Sequence, residues 1–252
     1  MIPLRDNVPR VTRPYAVVVI IVLNALAFLY TESINPRDQI YLYHLLGVVP
    51  ARFFQPDWAV WAGYPDTWGW PFLTYMFLHG GWLHVIMNMW MLWIFGDNIE
   101  DVTGHGKFVL FYVLCGLAAV ALHMSFEQTS PTPIVGASGA VAGVMGAYTV
   151  LYPQGRVLTL VPIVIYPLIL RIPAALFLGV WFVMQLLSGL YSTSANTAHG
   201  VAWWAHVGGF IAGIVLINYF RRPGACVYCY NAETRDYQPD ETVSGDDRPF
   251  GP

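Results

Sequence analysis

The sequence predicts an all-α polytopic membrane protein of six transmembrane helices with a membrane-associated first loop. Three observations carry that expectation. Of the 252 residues, 56% are hydrophobic and 11% charged, with a mean hydropathy of +0.52. Such a chain has more apolar surface than one soluble core can hide, so lipid must be part of its solvent. Apolar runs recur at 15–30, 82–96, 108–124, 136–152, 172–190 and 201–220, each about the length that crosses a ~30 Å hydrocarbon layer. If those runs alternate in direction, Arg5, Arg10, Arg13, Lys107, Arg156, Arg171, Arg221 and Arg222 all fall on one side, and only Arg37 and Arg52 on the other. By the positive-inside rule both termini are cytoplasmic.

The elements follow in order. Residues 1–14 form a cytoplasmic segment, 15–220 the membrane domain and 221–252 a flexible cytoplasmic tail rich in acidic residues, Gly and Pro. The run 15–30 has no small-residue cleavage site and is followed by further spans, so it is a retained helix rather than a signal peptide. The loop from Thr31 to Trp70, with Trp58, Trp61, Tyr64, Trp68 and Trp70, suits a non-helical structure resting partly in the outer headgroup region. Gly80 and Gly81 break the preceding apolar stretch and let a helix begin near Trp82. Pro162 and Pro167 interrupt the apolar stretch 157–170, which is expected to be an interfacial or protein-packed connection and not a seventh span.

The net charge of -3 and the lack of a basic block exclude nucleic acid as a partner. Three cysteines, Cys115 in a helix and Cys226 with Cys229 in the tail, do not make a disulfide framework. H-E-x-x-H is absent, and Asp97, Glu100 and Asp101 gather at one end of the second run, so metalloprotease and aspartyl mechanisms lack their parts. No metal site is expected. A transporter is disfavoured because no Asp, Glu, Lys or Arg falls within a span and no inverted repeat is visible.

Four polar side chains remain at one depth. From Ser138 to Tyr152 is roughly 21 Å of helix, which puts Ser138 about 9 Å below the outer edge of the hydrocarbon. By the same rise His206 lies about 7 Å down, and His84 and Asn88, i and i+4 on one helical face, at about 3 and 9 Å. A serine and a histidine immersed together are a candidate nucleophile and base. Two side-chain donors in the same layer suit an oxyanion hole. Gly139, Gly143 and Gly146 on one helix and Ala205, Gly209 and Gly213 on another allow the backbones to approach closely enough for the pair to meet. Gly136 to Gly146 alone would read as a packing seam, and His206 alone as a satisfied intramembrane histidine or part of a proton path; the coincidence of depth argues for a site. His44, His105, His123 and His199 suit interface or loop roles, His79 a structural hydrogen bond, and Met87, Met89 and Met91 packing or lipid contact.

His79 to Asn88 (H-x-x-x-x-H-x-x-x-N), Gly136-Ala137-Ser138-Gly139, and Ala205-His206-Val207-Gly208-Gly209 followed by Gly213 resemble the motifs of the rhomboid family of intramembrane serine proteases. The resemblance covers about Pro14 to Phe220 and implies a six-helix rhomboid-like bundle. It implies Ser138 as nucleophile and His206 as general base without a third acid, and an oxyanion and substrate-binding site from His84, Asn88, Gly136, Ala137 and the Ser138 N–H. It also implies no cofactor, and single-span membrane proteins as substrates, cut near their outer ends. Some family members carry a tyrosine four residues after the serine, stacked on the histidine; here that position is Ala142, and Trp203 and Trp204 are candidates to hold the ring instead. A loop 191–200 capping a wet cavity, and Trp181 and Phe182 on a movable fifth helix, would give water and substrate access. An inactive rhomboid-like escort protein is the alternative. The absence of an N-x-S/T sequon and of a large soluble domain points to a bacterial plasma membrane.

Overall fold

The computed structural model describes residues 1–65, 69–163, 166–195, 201–222, 228–231, 234 and 236–239. In chain order it comprises β1 (Ile2–Arg5), α1 (Tyr15–Ser33), α2 (Pro36–Leu46), α3 (Pro50–Phe54), α4 (Pro56–Trp61), α5 (Pro71–Thr74), a 3-10 turn (Tyr75–Phe77), α6 (Trp82–Thr103), α7 (His105–Phe126) and α8 (Ser138–Leu151). It continues with β2 (Arg156–Ile163), β3 (Tyr166–Pro173), α9 (Ala174–Ala195), α10 (Trp203–Phe220), β4 (Tyr228–Asn231) and β5 (Asp236–Pro239). The chain is mostly helical. Among the described residues, four helices are long and apolar enough to cross a membrane: α1, α7, α9 over Ala174–Thr193, and α10. α6 has 22 residues but carries Asp97, Glu100 and Asp101 in its last two turns, and α8 is a shorter apolar helix of 14 residues.

Glu100 and Asp101 tie down the N-terminal segment. The first N–H groups of a helix have no intrahelical partner. Here Glu100, itself buried, accepts from the N–H groups of Ala16 and Val17 at 2.8 Å each, and also meets His105. A carboxylate at the positive end of α1 is favoured by the helix dipole as well. Asp101 accepts from the N–H groups of Val11 and Thr12 at 2.7 and 2.9 Å. Asp6 accepts from Tyr148 Oη at 2.6 Å, and burial raises its carboxyl to about 6.

α10 lies against both α7 and α8. A Cβ on Gly209 would overlap the Gly139 carbonyl, one on Gly213 the Gly143 carbonyl, and one on Gly146 the Phe210 carbonyl. The α8–α10 seam is therefore set by backbone contact, as small residues in membrane helices allow. α9 is held differently, by aromatic side chains: Phe182 stacks on Phe210 with centroids 4.7 Å apart, and Trp181 lies 6.1 Å from the same ring.

Three parts of the chain depart from the expected elements. The stretch 157–170 is an antiparallel β-hairpin, with β2 paired to β3 from Arg156↔Pro173 to Ile163↔Tyr166, and β1 adds to β2 as a third strand. Pro162 is tolerated because β1 pairs only with Leu158 to Leu160, so no ladder N–H is needed from it on that side. Between Thr31 and Trp70 the expected loop contains α2, α3 and α4, each with proline at its first helical position. Asn35 caps α2 by accepting from the N–H groups of Arg37 and Asp38. Trp61 and Trp70 are exposed there, while the Arg52 guanidinium is buried over Tyr64, 5.1 Å from its ring centre. In the C-terminal stretch, expected to be a flexible tail, β4 and β5 pair, and Tyr237 packs on Tyr152 at 5.7 Å.

Candidate active site

Ser138 is the first residue of α8 and His206 lies in the first turn of α10. The glycine seam between those helices puts Ser138 Oγ 2.8 Å from His206 Nε2. At that distance the serine hydroxyl can donate to the ring nitrogen, and both side chains are only partly buried. The N–H groups of the first turn of α8, including that of Ser138, have no intrahelical partner and face the same end of the helix. Helix polarity there favours negative charge.

The approach to Ser138 is fixed from several sides. Val48 and Ile134 form a two-bond bridge, N–H to carbonyl at 3.1 and 2.7 Å, and the Ala51 N–H donates to Ser130 O at 3.0 Å. The Gly136 N–H donates to Tyr75 O at 2.9 Å, and Tyr75 Oη donates to Gly116 O at 2.6 Å. Gly136 has φ 128°, and a Cβ there would sit 2.7 Å from His84 Nε2 and 3.7 Å from Ser138 Oγ. The glycine is required twice over, for its backbone and for the room it leaves to the imidazole.

α6 begins at Trp82 and brings His84 and Asn88 to this place. The His84 ring packs edge-on against His79, with centroids 5.0 Å apart. Asn88 is buried, and its Nδ2 lies 3.0 Å from His79 Nε2. The Ala137 N–H approaches the same ring nitrogen at 3.5 Å. With two N–H donors directed at it, His79 Nε2 acts as the acceptor. Of the residues expected to form the oxyanion and substrate-binding site, His84 and Asn88 reach the neighbourhood of Ser138. Gly136 and Ala137 line it, but the Gly136 N–H is engaged by Tyr75 and that of Ala137 is directed at His79. The hydrogen bond expected of His79 is made with Asn88.

The surroundings of His206 differ from expectation. Trp203 packs edge-on to the ring at 6.2 Å, but Trp204 stacks on Phe126 at 3.9 Å and donates its Nε1–H to Thr193 at 3.0 Å. From α9, Trp181 lies 5.9 Å from the ring, and Gln185 Oε1 is 2.7 Å from His206 Nδ1. Gln185 was not anticipated, although a lone amide in the apolar run 172–190 is a signal: burying one in a lipid-facing helix is costly without a partner. Of the expected capping loop, 191–195 belongs to α9 and 196–200, with His199, lies outside the described residues, as does Cys226. His44 of α2 meets Tyr64 Oη at 2.5 Å. No group of three or more His, Cys, Asp or Glu that could hold a metal occurs among the described residues.

Residues 66–223 match the family model described as the Rhomboid domain. The chain belongs to the rhomboid family. It is 33% identical over 156 residues to RHOMBOID-like protein 6, mitochondrial, of Arabidopsis thaliana, covering 58% of this chain and 42% of that protein. It is 38% identical over 78 residues to Rhomboid protease GluP of Bacillus subtilis, covering 31% and 15%. Rhomboid protein 1, mitochondrial, of Saccharomyces cerevisiae is 28% identical over 149 residues, covering 55% and 38%. The chain spans less than half the length of each of these rhomboid relatives.

Proposed function

We propose that the protein is an intramembrane serine endopeptidase that cuts transmembrane segments of single-span membrane proteins near the outer face of the bilayer. The observation that carries this reading is the 2.8 Å approach of Ser138 Oγ to His206 Nε2, made by two glycine-bearing helices at a helix N-terminus. Ser138 gives its proton to Nε2 as Oγ attacks the carbonyl carbon of the scissile bond. The charge that develops on the carbonyl oxygen is met by the Ser138 N–H, the second hydrogen of Asn88 Nδ2, and His84. His206 then donates its proton to the leaving amine, and in the second half takes one from the water that hydrolyses the acyl-enzyme.

In this reading α6 and α8 are the second and fourth of six spans. α8 rises only about 21 Å, so with its lower end at the cytoplasmic interface Ser138 stands below the outer surface by about the remaining third of a ~30 Å core. Both termini lie on the arginine-weighted side, the cytoplasm of a bacterium whose plasma membrane holds the protein. GluP, by its name, is a protease and supports the same reading by likeness. The test is to reconstitute the full chain in liposomes with a panel of single-span substrates and compare it with Ser138→Ala. Cleavage by the wild type and none by the variant is expected; cleavage by Ser138→Ala above the protein-free control would refute the serine mechanism.

A further inference from the structure

We propose that Gln185 is the positioning residue of the general base: through its side-chain oxygen it fixes the tautomer and the ring orientation of His206. The proposal rests on the reading of Ser138 and His206 as nucleophile and base, and goes beyond a two-residue mechanism. The observations are geometric. Gln185 is 7% exposed, and its Oε1 lies 2.7 Å from His206 Nδ1, while Nε2 of the same ring lies 2.8 Å from Ser138 Oγ. The two nitrogens of the imidazole are thus each engaged, one by α9 and one by α8.

An amide oxygen can only accept a hydrogen bond, so Nδ1 must carry the ring hydrogen. In a neutral imidazole that leaves the lone pair on Nε2, facing the serine hydroxyl, which is the tautomer a base for Ser138 needs. Without an acceptor at Nδ1 the ring can place its hydrogen on Nε2 and donate to Ser138 Oγ, and in that state it cannot remove the serine proton. Trp181 and Trp203 flank the ring at 5.9 and 6.2 Å. They limit where it can tilt, but neither offers Nδ1 an acceptor, since an indole nitrogen only donates. When the proton of Ser138 arrives at Nε2, the same amide oxygen keeps its bond to Nδ1–H and helps to hold the imidazolium that forms.

Ala142 adds a second, independent reason. The side chain four residues beyond the serine is a methyl group, buried in the α8 seam, so no ring from α8 covers His206 and its orientation must come from elsewhere. α9 supplies it, with Trp181 and Gln185 four residues apart on one helical face.

The experiment uses the full chain in proteoliposomes, with two readouts: steady-state cleavage of a single-span substrate, and the rate of Ser138 modification by a fluorophosphonate. Gln185→Leu keeps the site packed and apolar but removes the acceptor. It should lower kcat roughly 10²-fold at unchanged KM, and slow fluorophosphonate labelling by a like factor. Gln185→Glu restores an oxygen that accepts from Nδ1, and should bring both rates back to within about tenfold of the wild type. Wild-type kcat and labelling in Gln185→Leu, equal impairment of the Leu and Glu variants, or a loss confined to KM would each overturn the role. Ser138→Ala separates the two readings. Its inactivity beside an unimpaired Gln185→Leu would remove this inference alone, whereas cleavage by Ser138→Ala would remove the dyad and this role with it.

Discussion

Gly136→Ala tests the site at a position where no side chain has yet been assigned chemistry. The residue has φ 128°, a conformation that L side chains rarely adopt, and an added Cβ would lie 2.7 Å from His84 Nε2 and 2.8 Å from His84 Cε1. Comfortable contact between such atoms is about 3.5 Å, so the imidazole must retreat by roughly 0.7–0.8 Å, or the 136–138 backbone must move by as much in the other direction. Either shift displaces a proposed oxyanion donor relative to Ser138 Oγ, and a misplacement on the order of 1 Å can cost about 10²-fold in rate. The backbone strain adds about 1–3 kcal/mol of destabilisation.

Two measurements separate those effects. Thermal unfolding in detergent should show the stability loss, and kcat on a single-span substrate in liposomes should fall roughly 10²-fold with the protein still folded. His84→Ala removes the ring that the new Cβ would strike, so the double variant Gly136→Ala, His84→Ala should be no slower than His84→Ala alone by more than a few-fold, a strong departure from additivity. Wild-type kcat in Gly136→Ala, or fully multiplicative losses in the double variant, would refute the argument that this glycine exists to seat His84 beside the serine.

Three further outcomes are expected. His206→Ala should abolish cleavage as completely as Ser138→Ala, with no further loss when the two are combined; residual turnover in either single variant would contradict it. Asp6 is raised from 3.8 to about 6 by burial, so its protonated form is favoured in the folded state, and its contribution to stability is full at acid pH and lost as pH rises through that window. At about 1.4 kcal/mol per pK unit the loss amounts to at most about 3 kcal/mol; Asp6→Asn should flatten the unfolding midpoint between about pH 4 and 6 and raise it at neutral pH, and an unchanged pH dependence would rule this out. Trp181→Ala should raise cleavage of a transmembrane substrate relative to hydrolysis of a small soluble ester, because it thins the side-chain contact that holds α9 to α10. An unchanged ratio would remove Trp181 from the access route.

The parts of the site that were legible in the sequence are those whose information is local. Gly80-Gly81 marks where α6 starts, and the spacing of His84 and Asn88 puts both on one face of it. The glycines of α8 and α10 announce the close seam, and the structure realises it as backbone contact at Gly139–Gly209 and Gly143–Gly213. What stayed hidden depends on partners far away in the chain. β2 and β3 look like a proline-broken apolar stretch because the strand completing their sheet, Ile2–Arg5, lies about 155 residues earlier, and no local periodicity reports such a pairing. In the stretch after Thr31, Pro36, Pro50 and Pro56 are the first residues of helices, a position where a missing N–H costs nothing. A lone amide in an apolar run signals a buried partner without naming it, and the partner of Gln185, His206 Nδ1, lies 21 residues away on another helix.

The distribution of polar groups along the bundle follows from helix length. α6 and α7 have 22 residues each and α8 only 14, so α8 ends about 12 Å short of its neighbours at 1.5 Å per residue. The chain fills that gap with the irregular segment 127–137, whose backbone finds its partners in Val48, Tyr75 and His79. In a membrane protein, irregular backbone is tolerated where protein or water, and not lipid, surrounds it. Ser138, His84, Asn88, Gln185 and His206 gather at this end of the bundle, while the opposite end carries the carboxylates that hold the N-terminal segment. A longer α8 would satisfy the Ser138 N–H within the helix and leave no unpaired donor beside the serine. The shortness of this helix thus accounts both for the irregular segment at its N-terminus and for the place of Ser138 within the bundle.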